Sequence, residues 1–208
     1  MKKYFKVITI FLFFFGLPEA FAAIGCDLND PVRDVARLFP GSSGYKMRYA
    51  SITELGGEPL LKKIKERLGG NSKVLFAPID VPYTIYEVYN GSTKLGYIHG
   101  VNQKGQYGGT QVFIVQDLNG TIKNFYIQKI SGPAAAKFRN RAFGVQFIGM
   151  SVKDFVGMDA STCKGTGRIT KVVNPAPEAK ADFLGIMRGL KKNLILMDEF
   201  VFSAGAKK

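Results

Sequence analysis

The chain has 208 residues, with 29 Lys and Arg against 16 Asp and Glu, two cysteines and one histidine. This leaves no His/Cys set with zinc-ligand spacing and no Cys-x-x-Cys-His haem attachment. The positive balance suits anions such as phosphate groups, acidic lipids or acidic partners, but no dense basic run or nucleic-acid motif accompanies it.

The first 22 residues read as a signal peptide. Lys2, Lys3 and Lys6 precede an apolar run over 7–15, Gly16 and Pro18 break it, and Ala20-Phe21-Ala22 offers a small-x-small cleavage site. A rival site is "AIGC" at 23–26, where a lipoprotein would be cut before Cys26 and acylated there. Either way the chain is expected to be exported, to the periplasm or the outer face of the cytoplasmic membrane. Residues 23–208 are then one domain with 26 basic and 15 acidic residues, net +11. Cys26 and Cys163 either pair with each other or leave one thiol lipidated and the other free.

In chain order, "NDPVRDVARLFPG" (29–41) predicts a short helix with Pro31 as its first residue and Pro40-Gly41 as its stop. Weak alternation predicts a strand over 45–55. Leu60, Leu61, Ile64 and Leu68 predict an amphipathic helix over 57–70. Two aromatic and β-branched hairpins follow, 83–101 turning at Asn90-Gly91 and 109–130 turning at Asn119-Gly120. Asn-Gly between such runs signals a tight turn in which both residues take positive φ. The period then becomes helical over 133–149, with Phe138, Ala142 and Val145 in register. A capped turn of helix starts at Ser151. Residues 178–202 predict a strong helix with a seam of Phe183, Ile186, Leu190, Leu194, Met197 and Val201. The fold class is α+β: a curved antiparallel sheet of at least four strands with covering helices and a long C-terminal helix.

Hydrolytic machinery is missing from this pattern. The lone histidine, His99, lies inside a predicted strand and reads as structural. No Gly-x-Ser-x-Gly elbow, Walker loop or dinucleotide glycine fingerprint is present. What stands out is the glycine elbow "GQYGG" (105–109) before the second hairpin. Its glycines either admit the close approach of a ring or a neighbouring strand, or form a bulge where the sheet bends.

An ordered set of pieces spans about 60 residues: Gly96-Tyr97, then "GQYGG", then "VFIVQDLNGTIKNFYIQ" (112–128), then "FRNRAFGVQFIGMSVKDF" (138–155). The set resembles the periplasmic FMN-binding domain family, found in the small flavin subunits of ion-pumping NADH:quinone and ferredoxin:NAD oxidoreductases. The resemblance implies an FMN site and an electron-transfer role, with a membrane redox complex or another electron-transfer protein as partner and neither nucleic acid nor metal.

Two departures accompany it. The family's Glu-Thr-Pro-Gly loop stands here as "SGPAAA" (131–136), keeping only Pro133. Many members carry FMN on a threonine in Asp-x-x-Ser-Gly-Ala-Thr. Here "DASTCKGTG" (159–167) puts Gly165 at that place, and one inserted residue would bring Thr166 there.

For the phosphate, "CKGTGR" (163–168) offers Lys164, Gly165, Thr166 and Arg168, or else is a surface loop tied down by a Cys26–Cys163 bridge. For the ring, Tyr97, Tyr107 and Phe138 are candidate walls beside Gly105, Gly108 and Gly109. The expected function is an exported FMN-binding electron carrier, with the redox chemistry belonging to the flavin and no side chain acting as acid, base or nucleophile. The alternative is a binding or assembly module of the same fold, without flavin, that recognises an acidic partner or lipid headgroup.

Overall fold

The computed structural model describes residues 26–69 and 79–203. The leader expected over residues 1–22 lies outside the described residues. Five strands form one open antiparallel sheet in sequential order: β1 (Gly44–Ala50), β2 (Tyr83–Asn90), β3 (Thr93–Gly105), β4 (Gly108–Asp117) and β5 (Ile122–Lys129). Each strand pairs with the next, so the sheet is a simple meander.

Both faces of the sheet are covered. On the outer face Tyr86, Val88, Ile98, Phe113 and Val115 pack under helix α1 (Pro31–Leu38), through its Val35 and Leu38. Asp30 caps that helix by accepting from the Arg33 N–H, and Pro31 occupies its first turn. On the inner face Ile85, Val101, Val112, Ile114, Ile122 and Ile127 join the main core. Burial on both sides explains why "VFIV" in β4 reads as an unbroken apolar run, where a half-exposed strand would alternate.

Six further helices are found among the described residues: α2 (Ile52–Leu55), α3 (Gly57–Arg67), α4 (Ala135–Arg139), α5 (Arg141–Gly144), α6 (Val152–Phe155) and α7 (Lys180–Met197). The last of these is the central pillar. From Gly185 to Met197 every residue but Arg188 is buried, so α7 is enclosed nearly all round, and its Lys191, Lys192 and Asn193 are buried along with the apolar seam. Two glycines let it sit hard against the sheet. A Cβ on Gly185 would lie 2.4 Å from the Lys104 carbonyl oxygen, and one on Gly189 would lie 3.2 Å from Val112. None of these helices is long and apolar enough to cross a membrane.

Several local expectations change. The strand expected over 45–55 ends at Ala50, because Ser51 caps α2 by accepting from the Glu54 N–H. The helix expected over 133–149 breaks at Asn140, whose extended backbone ends α4 and whose side chain caps α5 through the Ala142 N–H. In the turns, only the glycines Gly91 and Gly120 take positive φ. The first loop is Gly91-Ser92, with Asn90 already paired to Thr93. The second is a four-residue loop in which Asp117 accepts from the N–H groups of Asn119 and Thr121. The elbow "GQYGG" is a hairpin tip and not a bulge: Gly105 pairs with Gly108 around Gln106-Tyr107. The final helix starts at Lys180 and widens into a π-helical turn over Asp198–Phe202.

Candidate functional site

A pocket of about 580 Å³ opens between the loop 162–174 and the first turns of α7. The loop is built by its own hydrogen bonds. The Asp159 carboxylate accepts from the N–H groups of Ser161 and Thr162 and from the Thr162 hydroxyl. These bonds hold that exposed carboxyl below its ordinary range. The Cys163 N–H reaches the Asp159 carbonyl, and the Asp159 N–H reaches the Lys164 carbonyl.

This closure forces Cys163 into the left-handed region, at φ 54°, the one non-glycine residue among the described residues to adopt it. A cysteine held there is strained, and such strain clusters at functional sites. Its thiol contacts the Leu184 carbonyl at 3.5 Å and is pushed by burial up to about 11, so it stays protonated and inert as a nucleophile.

Cations from α7 fasten the near side of the loop. Arg188 donates to the carbonyls of Ala160 and Ser161, both at 2.7 Å, and the buried Lys191 donates to the Met158 carbonyl at 2.6 Å. With that side tied down, Thr162, Lys164 and Gly165 face the pocket, opposite Lys180. Its apolar lining is Ile169, Val172, Phe183, Leu184 and Met187. Lys164 and Lys180 make no side-chain hydrogen bond or ion pair to another described residue. The N-terminus of α7 beside them has Ala179 at its cap position and no side-chain cap. The pocket thus combines two free cations, an adjoining helix N-terminus without a side-chain cap and a greasy floor, a set suited to a molecule with an anionic end and a flat apolar end.

The residues singled out in the sequence are not brought to one place. Lys164 and Gly165 line the pocket. Thr166 is exposed and outside the lining, with Gly157 as its neighbour. Arg168 is turned away, donating to the carbonyls of Ile148 and Gly149 at 2.8 and 2.6 Å.

Gly105, Gly108 and Gly109 sit at the hairpin tip beside the first turn of α7, where Asp182 accepts from the Gln106 N–H at 2.6 Å. Gly105 has no room for a side chain there: a Cβ would lie 2.6 Å from Thr110 and 2.7 Å from Asp182. Tyr107 lies across Gly132, whose Cβ would meet its ring at 2.3 Å. Phe138 is wholly buried, edge-on to Phe143. Tyr97 packs edge-on against Phe202, at the far end of α7 and about 26 Å along β3 from the tip.

Cys26 and Cys163 are free and lie in clusters on opposite faces of the sheet, so the bridge considered above does not form. Thr170, Lys180, Phe183 and Met187 are among the pocket residues that the motif did not mark. No grouping of three or more His, Cys, Asp and Glu side chains able to hold a metal occurs among the described residues. Searches against family models and against curated proteins found no match for the chain.

Proposed function

We propose that the chain is an exported electron-transfer protein that holds FMN non-covalently in the pocket between the loop 162–174 and the start of α7. The observation that carries this reading is the pairing, in one 580 Å³ concavity, of Lys164 and Lys180 with an apolar floor that includes Phe183. A flavin mononucleotide has a dianionic phosphate at one end and a flat ring at the other. The lysines and the uncapped N-terminus of α7 suit the phosphate. Phe183, Met187 and Ile169 suit the ring.

Bound flavin supplies one- and two-electron chemistry; the residues here position it and exclude water from one side. Attachment through Thr166 has no support in this arrangement, since its hydroxyl does not line the pocket. A membrane redox complex or another electron-transfer protein is the partner such a carrier needs.

The second reading, a module of the same fold without flavin, is favoured by a different observation. Gly105, Tyr97, Phe138 and Arg168 are all engaged in packing or hydrogen bonds within the protein. Its ligand is an acidic partner or a lipid headgroup.

An absorption spectrum separates the two. Protein purified from the exported fraction, made with a flavin transferase present, is expected to be yellow and to release its colour on denaturation. Colour retained by the denatured chain would establish covalent attachment instead. A colourless protein, even after soaking in FMN, would leave the second reading standing.

A further inference from the structure

A groove of about 1120 Å³ lies on the outer face of the sheet, lined by none of the residues that line the pocket at the loop 162–174. Its floor is Val115 on β4 and Asn124 on β5. One wall is the end of α1 with Phe39 and Pro40, and the other is α5 with Val145 beyond it. Four basic side chains line it: Arg37, Lys123, Arg139 and Arg141. The one acid in the lining, Asp117, has one carboxylate oxygen, Oδ1, engaged by the N–H groups of Asn119 and Thr121 in its own turn, and the four cations outnumber it.

The cations divide into two kinds. Arg37 pairs with Asp34 at 2.8 Å and lies over the Tyr126 ring at 4.3 Å. Arg139 donates to the carbonyls of Ile127 and Gln128, blocking that stretch of the β5 edge. Lys123 and Arg141 are exposed and make no hydrogen bond or ion pair to another described residue. Both line the trough together with apolar residues, among them Phe39 and Val145, the latter 49 % exposed.

We infer that this groove docks an extended acidic segment of a partner protein, its carboxylates on Lys123 and Arg141 and its apolar side chains against Phe39 and Val145. Charge selects the occupant. A second copy brings a net charge of +13 with the leader or +11 without it, and the leader itself brings Lys2, Lys3 and Lys6, so both are repelled. Shape argues against a bilayer surface, because the free cations line a concavity that a flat headgroup layer does not enter. The volume exceeds the usual range for small-molecule sites, about 300–1,000 Å³, and suits a peptide. The docking surface does not depend on the flavin reading. If both hold, Phe125 in the groove joins Phe183 in the pocket through Phe143, at ring separations of 5.8 and 6.2 Å.

The test uses fluorescence anisotropy with a labelled peptide of alternating Glu and Leu. The full chain is expected to bind it at about 0.05 M salt and to release most of it at about 0.5 M. Lys123→Glu/Arg141→Glu weakens binding by about tenfold or more, and Lys123→Gln/Arg141→Gln by less. Lys65→Glu/Lys153→Glu, the same charge change away from the groove, leaves it unchanged. The four substituted residues are exposed, and unaltered thermal midpoints show that the variants fold. Equal loss in the control variant would reduce the binding to net charge and overturn the proposal. So would absence of binding by the native chain. Vesicles of phosphatidylcholine with about one-third phosphatidylglycerol form the last arm. Loss of vesicle binding without loss of peptide binding in the groove variants would assign the groove to a lipid surface instead.

Discussion

The Asn193 amide grips His99 at two points: its Oδ1 lies 2.7 Å from His99 Nδ1, and its Nδ2 donates to the His99 carbonyl at 2.9 Å. Nδ2 also reaches the Val112 carbonyl at 3.3 Å. Carbonyls only accept, so the amide orientation is fixed and His99 must donate from Nδ1. Its Nε2 is then a buried acceptor without a partner among the described residues. One asparagine on α7 thereby pins β3 and β4 to the helix.

The first prediction follows from that grip. Burial, with the nearby charges of Lys192 and Arg48, pushes His99 down to about 4 from an ordinary 6.5. The unfolded chain therefore binds the proton first, and stability is lost as pH falls from 6.5 toward 4. The loss is on the order of 3 kcal/mol over that window. His99→Gln flattens it, as read from urea midpoints at pH 7 and pH 4.5. An unchanged acid slope in the variant would contradict the account.

Lys192 gives a prediction of opposite character. It is buried with its ammonium 5.7 Å from the Tyr83 ring centroid and no carboxylate partner among the described residues. Burial pushes it down to about 8. The folded state therefore bears the full cost of the charge below pH 8, and this cost fades as pH rises toward 10.5. Lys192→Met is expected to stabilise the protein at pH 7 by about 1–3 kcal/mol. The gain shrinks at pH 10. A variant less stable than the parent at both pH values would show that the Tyr83 contact outweighs the burial cost.

Gly185 tests the seating of α7. Helix propensity alone makes Gly→Ala favourable by about 1 kcal/mol. Here the added Cβ would lie 2.4 Å from the Lys104 carbonyl oxygen, and backbone cannot step aside cheaply. Gly185→Ala is therefore expected to destabilise by about 2–4 kcal/mol in chemical denaturation. Gly189→Ala meets the side chains of Val112 and Gln103, at 3.2 Å and beyond and with no backbone in the way, and costs less. A stabilised Gly185→Ala would mean that α7 stands off the sheet.

Much of the architecture was legible because it depends on local chemistry. Pro31 behind Asp30, the aromatic strands and the long apolar seam of α7 each name their element. The third strand pairing, β3 with β4, was hidden because Gln106-Tyr107 lacks an Asn-Gly signature and its glycines flank the turn instead of forming it. The break at Asn140 was hidden because Phe138, Ala142 and Val145 keep helical spacing across an extended residue.

The site was legible only in part. Lys164 and Gly165 were marked by the loop motif, but Lys180 and Phe183 reach the pocket through the packing angle of α7, which no local pattern encodes. The glycine elbow drew notice for a ligand, yet Gly105 is needed for the approach of Asp182 and Thr110.

The central claim is an FMN site at Lys164, Lys180 and Phe183. Its most direct test is a fluorescence-quenching titration of the purified chain with FMN and, separately, with riboflavin, which lacks the phosphate. The account predicts that FMN binds tighter than riboflavin by about tenfold or more, a difference of one good charge-assisted contact. It predicts that Lys164→Glu/Lys180→Glu removes that preference while the thermal midpoint is kept. Equal affinity for the two flavins, or an FMN preference that survives the double reversal, would contradict it.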